Sequence, residues 1–165
     1  MSIPALENGL ETLAFARKAT LGLLEDIPDD KLRFRPGGVG NHATWITGHL
    51  AWTDDHFLSK LGDRESKCTG EWDALFGKGS RVLDQAEKYP PFTELREALS
   101  DRRDVLVAWF LSMSGERLAA ALPEDWQVFA KSYGVLINTI AWHEGMHAGQ
   151  LTVIRRELGL GPKFG

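Results

Sequence analysis

The sequence contains a single cysteine, Cys68, among its 165 residues, so no internal disulfide can form. This suits a reducing compartment, and we expect a cytoplasmic protein. The longest apolar run, 105–111, is far shorter than the ~20 residues that cross a bilayer, so no membrane span is expected. The first residues include neither a basic region nor a long apolar segment and therefore do not resemble a secretion signal.

The chain also lacks a large excess of charge of either sign. It has 19 Lys and Arg residues against 23 Asp and Glu residues, a formal net charge of −4. Proteins that bind nucleic acid usually have clustered basic residues and a high pI, so nucleic acid is not expected as a partner. A length of 165 residues is enough for one well-formed core, and we interpret residues 1–165 as a single domain.

Apolar residues recur with helical spacing in four stretches, and none alternates as a half-buried strand would. The stretches cover about 3–26, 41–61, 93–113 and 133–158. Four helices of roughly 30 Å predict an all-α four-helix bundle. The remaining long segment, 62–91, separates the second helix from the third. Loops of such length in compact domains are usually functional covers or crossover connections.

Capping residues and interruptions refine this pattern. Ser2, Asn41 and Thr93 are the expected N-caps of the first three helices. Arg17 and Arg102 interrupt the apolar stripes of the first and third helices. We expect both at the edges of their stripes with the guanidinium groups in water, and the alternative is that they hold an anionic ligand.

Polar side chains occupy core positions of the fourth helix. His143, His147 and Gln150 follow one another on the stripe that should face the core. Burying unpaired imidazoles costs about 1–3 kcal/mol each, so a compensating partner is expected. Because the two histidines are four residues apart, they face the same side of the helix and can reach one cation.

The second helix has a matching stripe of alternating tryptophans and histidines: Trp45, His49, Trp52 and His56. His49 could supply a third imidazole, and three neutral histidines with an open position are typical of a catalytic metal site. The alternative is that each histidine is an ordinary core residue with a hydrogen-bond partner. We expect His56 to be a polar lining or surface residue, because it lies too far from His49 along the helix axis to share one metal. His42 is expected to be exposed in the first turn.

Residues 143–147 also read H-E-x-x-H, the zinc metalloprotease signature. The extended form of that motif fails, since Gln150 and Val153 stand where Gly and a third His are needed. Glu144 remains a candidate catalytic base at the edge of a metal cavity, and the alternative is a solvated or interface carboxylate.

Three segments together resemble the DinB/YfiT superfamily of four-helix metalloproteins: 28–36, 41–51 with its N-x-x-x-W-x-x-x-H-L pattern, and 143–151 with H-x-x-x-H-x-G-Q. The resemblance implies a bundle with a long crossover between helices 2 and 3, and frequent homodimerisation. It also implies one divalent transition metal, zinc or nickel and less commonly iron or manganese, on His49, His143 and His147. Gln150 matches the family's Gln and would orient a ligand histidine or substrate, or make a plain contact between helices.

The activity that the resemblance favours is transfer of a low-molecular-weight thiol to an electrophilic small molecule. One alternative is a hydrolase that uses metal-activated water with Glu144 as its base. Another is a bundle that binds a metal or small molecule without turnover. Cys68 is not expected to be a nucleophile, because no histidine or basic cluster lies near it in the sequence; it is either solvent-facing or packed.

Overall fold

The computed structural model describes residues 4–164, so the expected N-cap Ser2 lies outside the described residues. The α-helices in this range are Pro4–Leu24 (α1), Ala43–Leu61 (α2), Glu71–Phe76 (α3), Phe92–Leu111 (α4), Gly115–Ala119 (α5) and Tyr133–Glu157 (α6). Residues 4–164 contain no named strand, and one isolated bridge pairs Ala121 with Ser132. The predicted all-α class is confirmed. Within the described part of the chain, no helix combines the length and apolar character needed to cross a membrane.

The four long helices pack as two pairs, α1 on α6 and α2 on α4, and contacts of α6 with α2 and of α1 with α4 join the pairs. Their apolar side chains form two separate clusters along the bundle. α1 and α6 pass from the first cluster to the second, whereas α2 and α4 pass from the second to the first. The segment between α2 and α4 therefore returns the chain to the opposite end, which is the expected crossover.

Two of the expected N-caps are wrong, by one residue at α2 and by two residues at α4. His42 rather than Asn41 is the N-cap of α2, because its side chain accepts a hydrogen bond from the Trp45 backbone N–H. α4 starts at Phe92, and Pro91 rather than Thr93 is its N-cap position, with no side-chain hydrogen bond. The Pro91 carbonyl accepts the first hydrogen bond of the helix, from the Leu95 backbone N–H at 3.1 Å.

The crossover contains α3, which packs on α2. A Cβ atom at position 48 would overlap the ring of the fully buried Phe76, so Gly48 permits the close approach of these two helices. The same crossover contains Cys68, whose backbone N–H donates to Asp55 and whose side chain is buried. Burial, followed by the negative charge of Asp55, raises the pKa of the thiol to about 12. Cys68 is therefore a packed thiol, one of the two expected settings, and is not activated as a nucleophile.

Candidate metal centre and adjoining pocket

Three histidines converge between α2 and α6, and we call them the histidine cluster: His49, His143 and His147. The Nε2 atom of His143 lies 3.3 Å from that of His49 and 3.2 Å from that of His147. A tetrahedral ion bound at ~2.0–2.1 Å separates its nitrogen ligands by about 3.3 Å. The cluster therefore has the spacing of a group that could hold one metal ion.

Hydrogen bonds at the other ring nitrogens orient two of these imidazoles. His49 Nδ1 donates to the Phe76 carbonyl at 2.7 Å, and His147 Nδ1 donates to the Gln150 side-chain oxygen at 3.1 Å. Because these oxygens only accept, both rings carry their proton on Nδ1 and present a lone pair at Nε2. His143 Nε2 can donate a proton to only one of them, and its own Nδ1 is buried without a partner. A cation would satisfy the lone pairs that remain.

The histidine cluster is neutral near pH 7. Burial lowers the pKa of His49. Burial, and then the neighbouring imidazoles, lowers the pKa of His143 to about 4 and that of His147 to about 3. Metal ligation requires neutral imidazole, so the rings need release no net proton when a metal binds, and the proton on His143 Nε2 only has to move to its Nδ1.

Neighbouring side chains fix the cluster. The Gln150 oxygen that accepts from His147 also accepts from the Asn41 amide at 3.0 Å, so this glutamine joins α6 to the residue just before the N-cap of α2. Trp45 stacks on His49 with ring centroids 4.5 Å apart and planes 10° from parallel. Both side chains therefore restrict the rotation of the histidines, as partners of metal ligands commonly do.

A cavity of about 290 Å³ opens beside the cluster, and His49 and His143 form part of its wall. The rest is largely aromatic: Trp52, Phe57, Trp126, Phe129 and Trp142. We call this cavity the aromatic pocket. His56 also lines it and stacks on Trp52 with centroids 4.5 Å apart, which agrees with the expectation of a polar lining residue. Buried apolar pockets with a few polar groups are the usual sites for small molecules.

Glu144, next to His143 in sequence, belongs to a second buried polar cluster. Its two carboxylate oxygens accept from Arg17 Nε and Arg103 NH2, each at 2.6 Å. Asp54 accepts from the same two arginines at 3.1 and 2.8 Å. We call these four residues the ion-pair layer. Each long helix contributes one member, and the two positive and two negative charges balance.

This position differs from the one expected of a catalytic base. Glu144 is completely buried, and it is not among the residues that line the aromatic pocket. Burial alone would raise the pKa of its carboxyl group, but the charges of Arg17 and Arg103 outweigh burial and lower it. Both oxygens are already bound by arginines. The geometry gives no support to a role for Glu144 as a general base.

Three residues expected at the surface are buried instead. Arg17 belongs to the ion-pair layer, and Arg102 pairs with Asp55 at 3.3 Å and with Asp101. Neither guanidinium extends into water, because each finds a carboxylate on another helix. His42 is fully buried, and its Nε2 donates to the Leu83 carbonyl at 3.0 Å while Nδ1 caps α2. The sequence signals for the two arginine pairs are the interrupted apolar stripes and the two adjacent carboxylates of α2, Asp54 and Asp55, which are almost fully buried.

The fold and this site define a class: all-helical bundles in which two helices bring three neutral histidines together beside a small pocket. The profile of the DinB superfamily matches residues 12–151, so the chain belongs to the DinB superfamily. No curated protein matches it significantly. The resemblance found in the sequence is confirmed.

Proposed function

We propose that the protein is a metal-dependent enzyme that acts on a small molecule, with one divalent transition metal on His49, His143 and His147. The observation that carries this proposal is a set of buried imidazole nitrogens with fewer hydrogen-bond partners than they need, placed against a pocket. Buried polar groups in folded proteins are normally satisfied, so an unsatisfied set indicates a missing ligand. Imidazole suits zinc and nickel, and also iron and manganese.

A metal bound there would supply a Lewis acid that favours the deprotonated form of a thiol or of water. The chain's own residues would do the rest. Phe76 and Gln150 accept hydrogen bonds from Nδ1 of His49 and His147, which leaves the Nε2 lone pairs of both rings free for the metal. Trp45 stacks on His49 and restricts the rotation of its ring. The aromatic pocket excludes water from a substrate beside the cluster.

Between the two chemistries, the setting of Glu144 favours thiol transfer. A thiol ionises with a pKa near ~8.5 and needs little help, whereas water at ~15.7 usually relies on a neighbouring base. Because the nearest carboxylate in sequence is held by two arginines, we propose that a low-molecular-weight thiolate attacks an electrophilic carbon. The S–C bond forms as the bond to the leaving group breaks, and the thiol proton goes to solvent.

We further propose that the protein forms a homodimer in the cytoplasm. Apart from the pocket residue Trp142, three large apolar side chains on α6 are exposed and could be covered by a second copy: Val135, Met146 and Val153. The lone, packed Cys68 is compatible with a reducing compartment. Light scattering of the purified protein would give a mass of two chains, and a mass of one chain would contradict the dimer.

The experiment that tests the proposed function uses cobalt-substituted protein, whose visible spectrum reports the ligands of the metal. Glutathione, cysteine and coenzyme A are added in turn, and the rate of their alkylation by iodoacetamide is measured in parallel. We expect at least one thiol to shift the cobalt spectrum and to be alkylated faster than in buffer, with His143→Ala as the inactive control. A spectrum that no thiol changes, with no rate enhancement, would indicate a binding protein without thiol chemistry.

A further inference from the structure

The five rings of the aromatic pocket come from three separate parts of the chain. Trp52 and Phe57 come from α2, Trp126 and Phe129 from the segment between α5 and α6, and Trp142 from α6. Trp126 lies 5.7 Å from both Phe57 and Phe129, measured between ring centroids. Because these rings come from different helices and loops, some turn their faces and others their edges towards the cavity. Such a surface favours a flat ring, which gains from offset or edge-to-face contacts beyond simple burial.

Two of these rings are unusually exposed. Trp142 is 67% exposed and Phe129 is 43% exposed. Large aromatic side chains that remain in water at the rim of a cavity are typical of ligand-binding grooves. A ligand that enters the pocket would remove part of this surface from water.

The charge of the pocket wall is as distinctive as its rings. Lys78 is the only Asp, Glu, Lys or Arg side chain that lines the pocket, and it follows α3 in the crossover. Among residues 4–164 no ion pair or hydrogen bond involves its ammonium group. Asp73 lies nearby in sequence but does not pair with Lys78. Its carboxylate instead accepts a hydrogen bond from Trp52 Nε1 at 2.7 Å. An unpaired cation beside an apolar cavity favours an acidic group on the ligand.

The size of the pocket limits the ligand further. A volume of about 290 Å³ lies just below the ~300–1,000 Å³ of typical small-molecule sites. We propose that the aromatic pocket takes a single-ring aromatic acid, with its ring among the tryptophans and its acidic group at Lys78. This inference names the substrate class of the proposed enzyme and therefore depends on the proposed function for its catalytic meaning. Binding itself requires no metal.

The test compares three small probes of matched size: phenylacetate, 2-phenylethanol and cyclohexylacetate. Each is titrated by calorimetry into metal-free and zinc-loaded protein. In the metal-free protein we expect phenylacetate to bind about 3–5-fold more tightly than 2-phenylethanol, the contribution of one exposed ion pair. It should also bind about 2–10-fold more tightly than cyclohexylacetate, the contribution of aromatic contacts.

Two variants separate the charge from the rings. Lys78→Gln should abolish the preference for phenylacetate over 2-phenylethanol and leave the binding of 2-phenylethanol unchanged. Trp126→Leu should weaken both aromatic probes. Lys88→Gln, which removes another exposed lysine of the crossover that does not line the pocket, is the matched control and should change nothing.

The outcomes distinguish this inference from the proposed function. Equal affinities for the acid and the alcohol, or an acid preference that survives Lys78→Gln, would overturn the assignment of Lys78. If phenylacetate binds only after zinc is added and ignores Lys78, the acid is held by the metal, which overturns this inference and supports the proposed function. If no probe binds because a second copy covers Trp142, the inference is also overturned, while the metal content remains an independent test.

Discussion

Two buried polar clusters lie side by side on α6, and they differ in how fully their groups are paired. In the ion-pair layer, each carboxylate accepts from both guanidinium groups. In the histidine cluster, three Nε2 atoms face one another with fewer N–H donors than lone pairs, and Nδ1 of His143 has no hydrogen-bond partner. The first cluster is complete without any ligand and is explained by the fold. The second is incomplete, and its incompleteness indicates a function.

The two clusters also connect different numbers of helices. The ion-pair layer lies where one apolar cluster gives way to the other, and it joins all four long helices. The histidine cluster joins only α2 and α6. We therefore expect the ion-pair layer to determine the stability and helix register of the protein, and the histidine cluster to determine metal affinity.

Glu144→Gln tests the ion-pair layer. The amide keeps the shape of the side chain but leaves two buried guanidinium groups without one of their counter-charges. Breaking a buried ion pair in this way costs about 3–5 kcal/mol of the free energy of unfolding. Urea unfolding measures the loss, and Asp104→Asn, which changes an exposed carboxylate on α4, should stay within about 0.5 kcal/mol of the original protein. A loss below about 1 kcal/mol for Glu144→Gln would contradict the distinction between the clusters.

His143→Leu, at the adjacent position, should have the opposite effect in metal-free protein. Leucine has a similar size and needs no hydrogen-bond partner, whereas the imidazole leaves Nδ1 buried and unpaired. Removing an unsatisfied buried polar group recovers about 1–3 kcal/mol, and loss of the hydrogen bond that His143 Nε2 donates to a neighbouring imidazole offsets part of this gain. We expect the free energy of unfolding to stay the same or to rise in urea unfolding without metal. A clear decrease would mean that the His143 ring stabilises the metal-free fold and would contradict its description as an unsatisfied group.

Gln150→Leu sharpens the comparison by removing one of the few partners that the histidine cluster has. His147 would lose the acceptor that fixes its tautomer and ring orientation. Loss of such a partner typically lowers metal affinity about 10–100-fold. Competition with a chromophoric zinc chelator measures this affinity. Asn41→Ala, which removes the other hydrogen bond to the same glutamine oxygen, should have a smaller effect, and equal effects would contradict a direct role for Gln150 at His147.

The pH dependence of the metal-free protein should also separate the clusters. The pKa of His143 is lowered to about 4 and that of His147 to about 3, so both rings stay neutral in the folded protein while the unfolded chain protonates them near pH 6.5. The unfolded state then binds more protons, and the free energy of unfolding falls as pH drops from about 6.5 to about 4. Urea unfolding across this range should show a smaller fall in His147→Gln. An unchanged fall would mean that other groups cause it.

Sequence patterns predicted the four long helices and the histidine cluster because both depend on periodicity within each helix, whereas the short α3 and α5 were not expected. His143 and His147 share a face through their spacing alone, and His49 stands on the core stripe of another helix. The crossover was expected from its length and from the family resemblance, whereas the contact of Gly48 with Phe76 was not, since no local pattern indicates which loop residue meets a helix.

The expectations that failed are those that depend on partners from other helices. Arg17 interrupts an apolar stripe, and a single sequence does not reveal that Asp54 and Glu144 face it from α2 and α6. The same holds for His42, whose second partner is a crossover carbonyl. The position of Glu144 between His143 and His147 in an H-E-x-x-H pattern predicted a catalytic base. Its actual partners are arginines from the neighbouring helices.

The most direct test of the central claim is the metal content of the purified protein and of four single variants. Elemental analysis after dialysis should find about one divalent ion per chain in the original protein and in His56→Ala. It should find none in His49→Ala, His143→Ala or His147→Ala, with circular dichroism confirming that each variant is folded. His56 lies on the same face of α2 as His49 and is therefore a matched control. Normal metal content in folded His143→Ala would contradict the claim that the three histidines bind one metal.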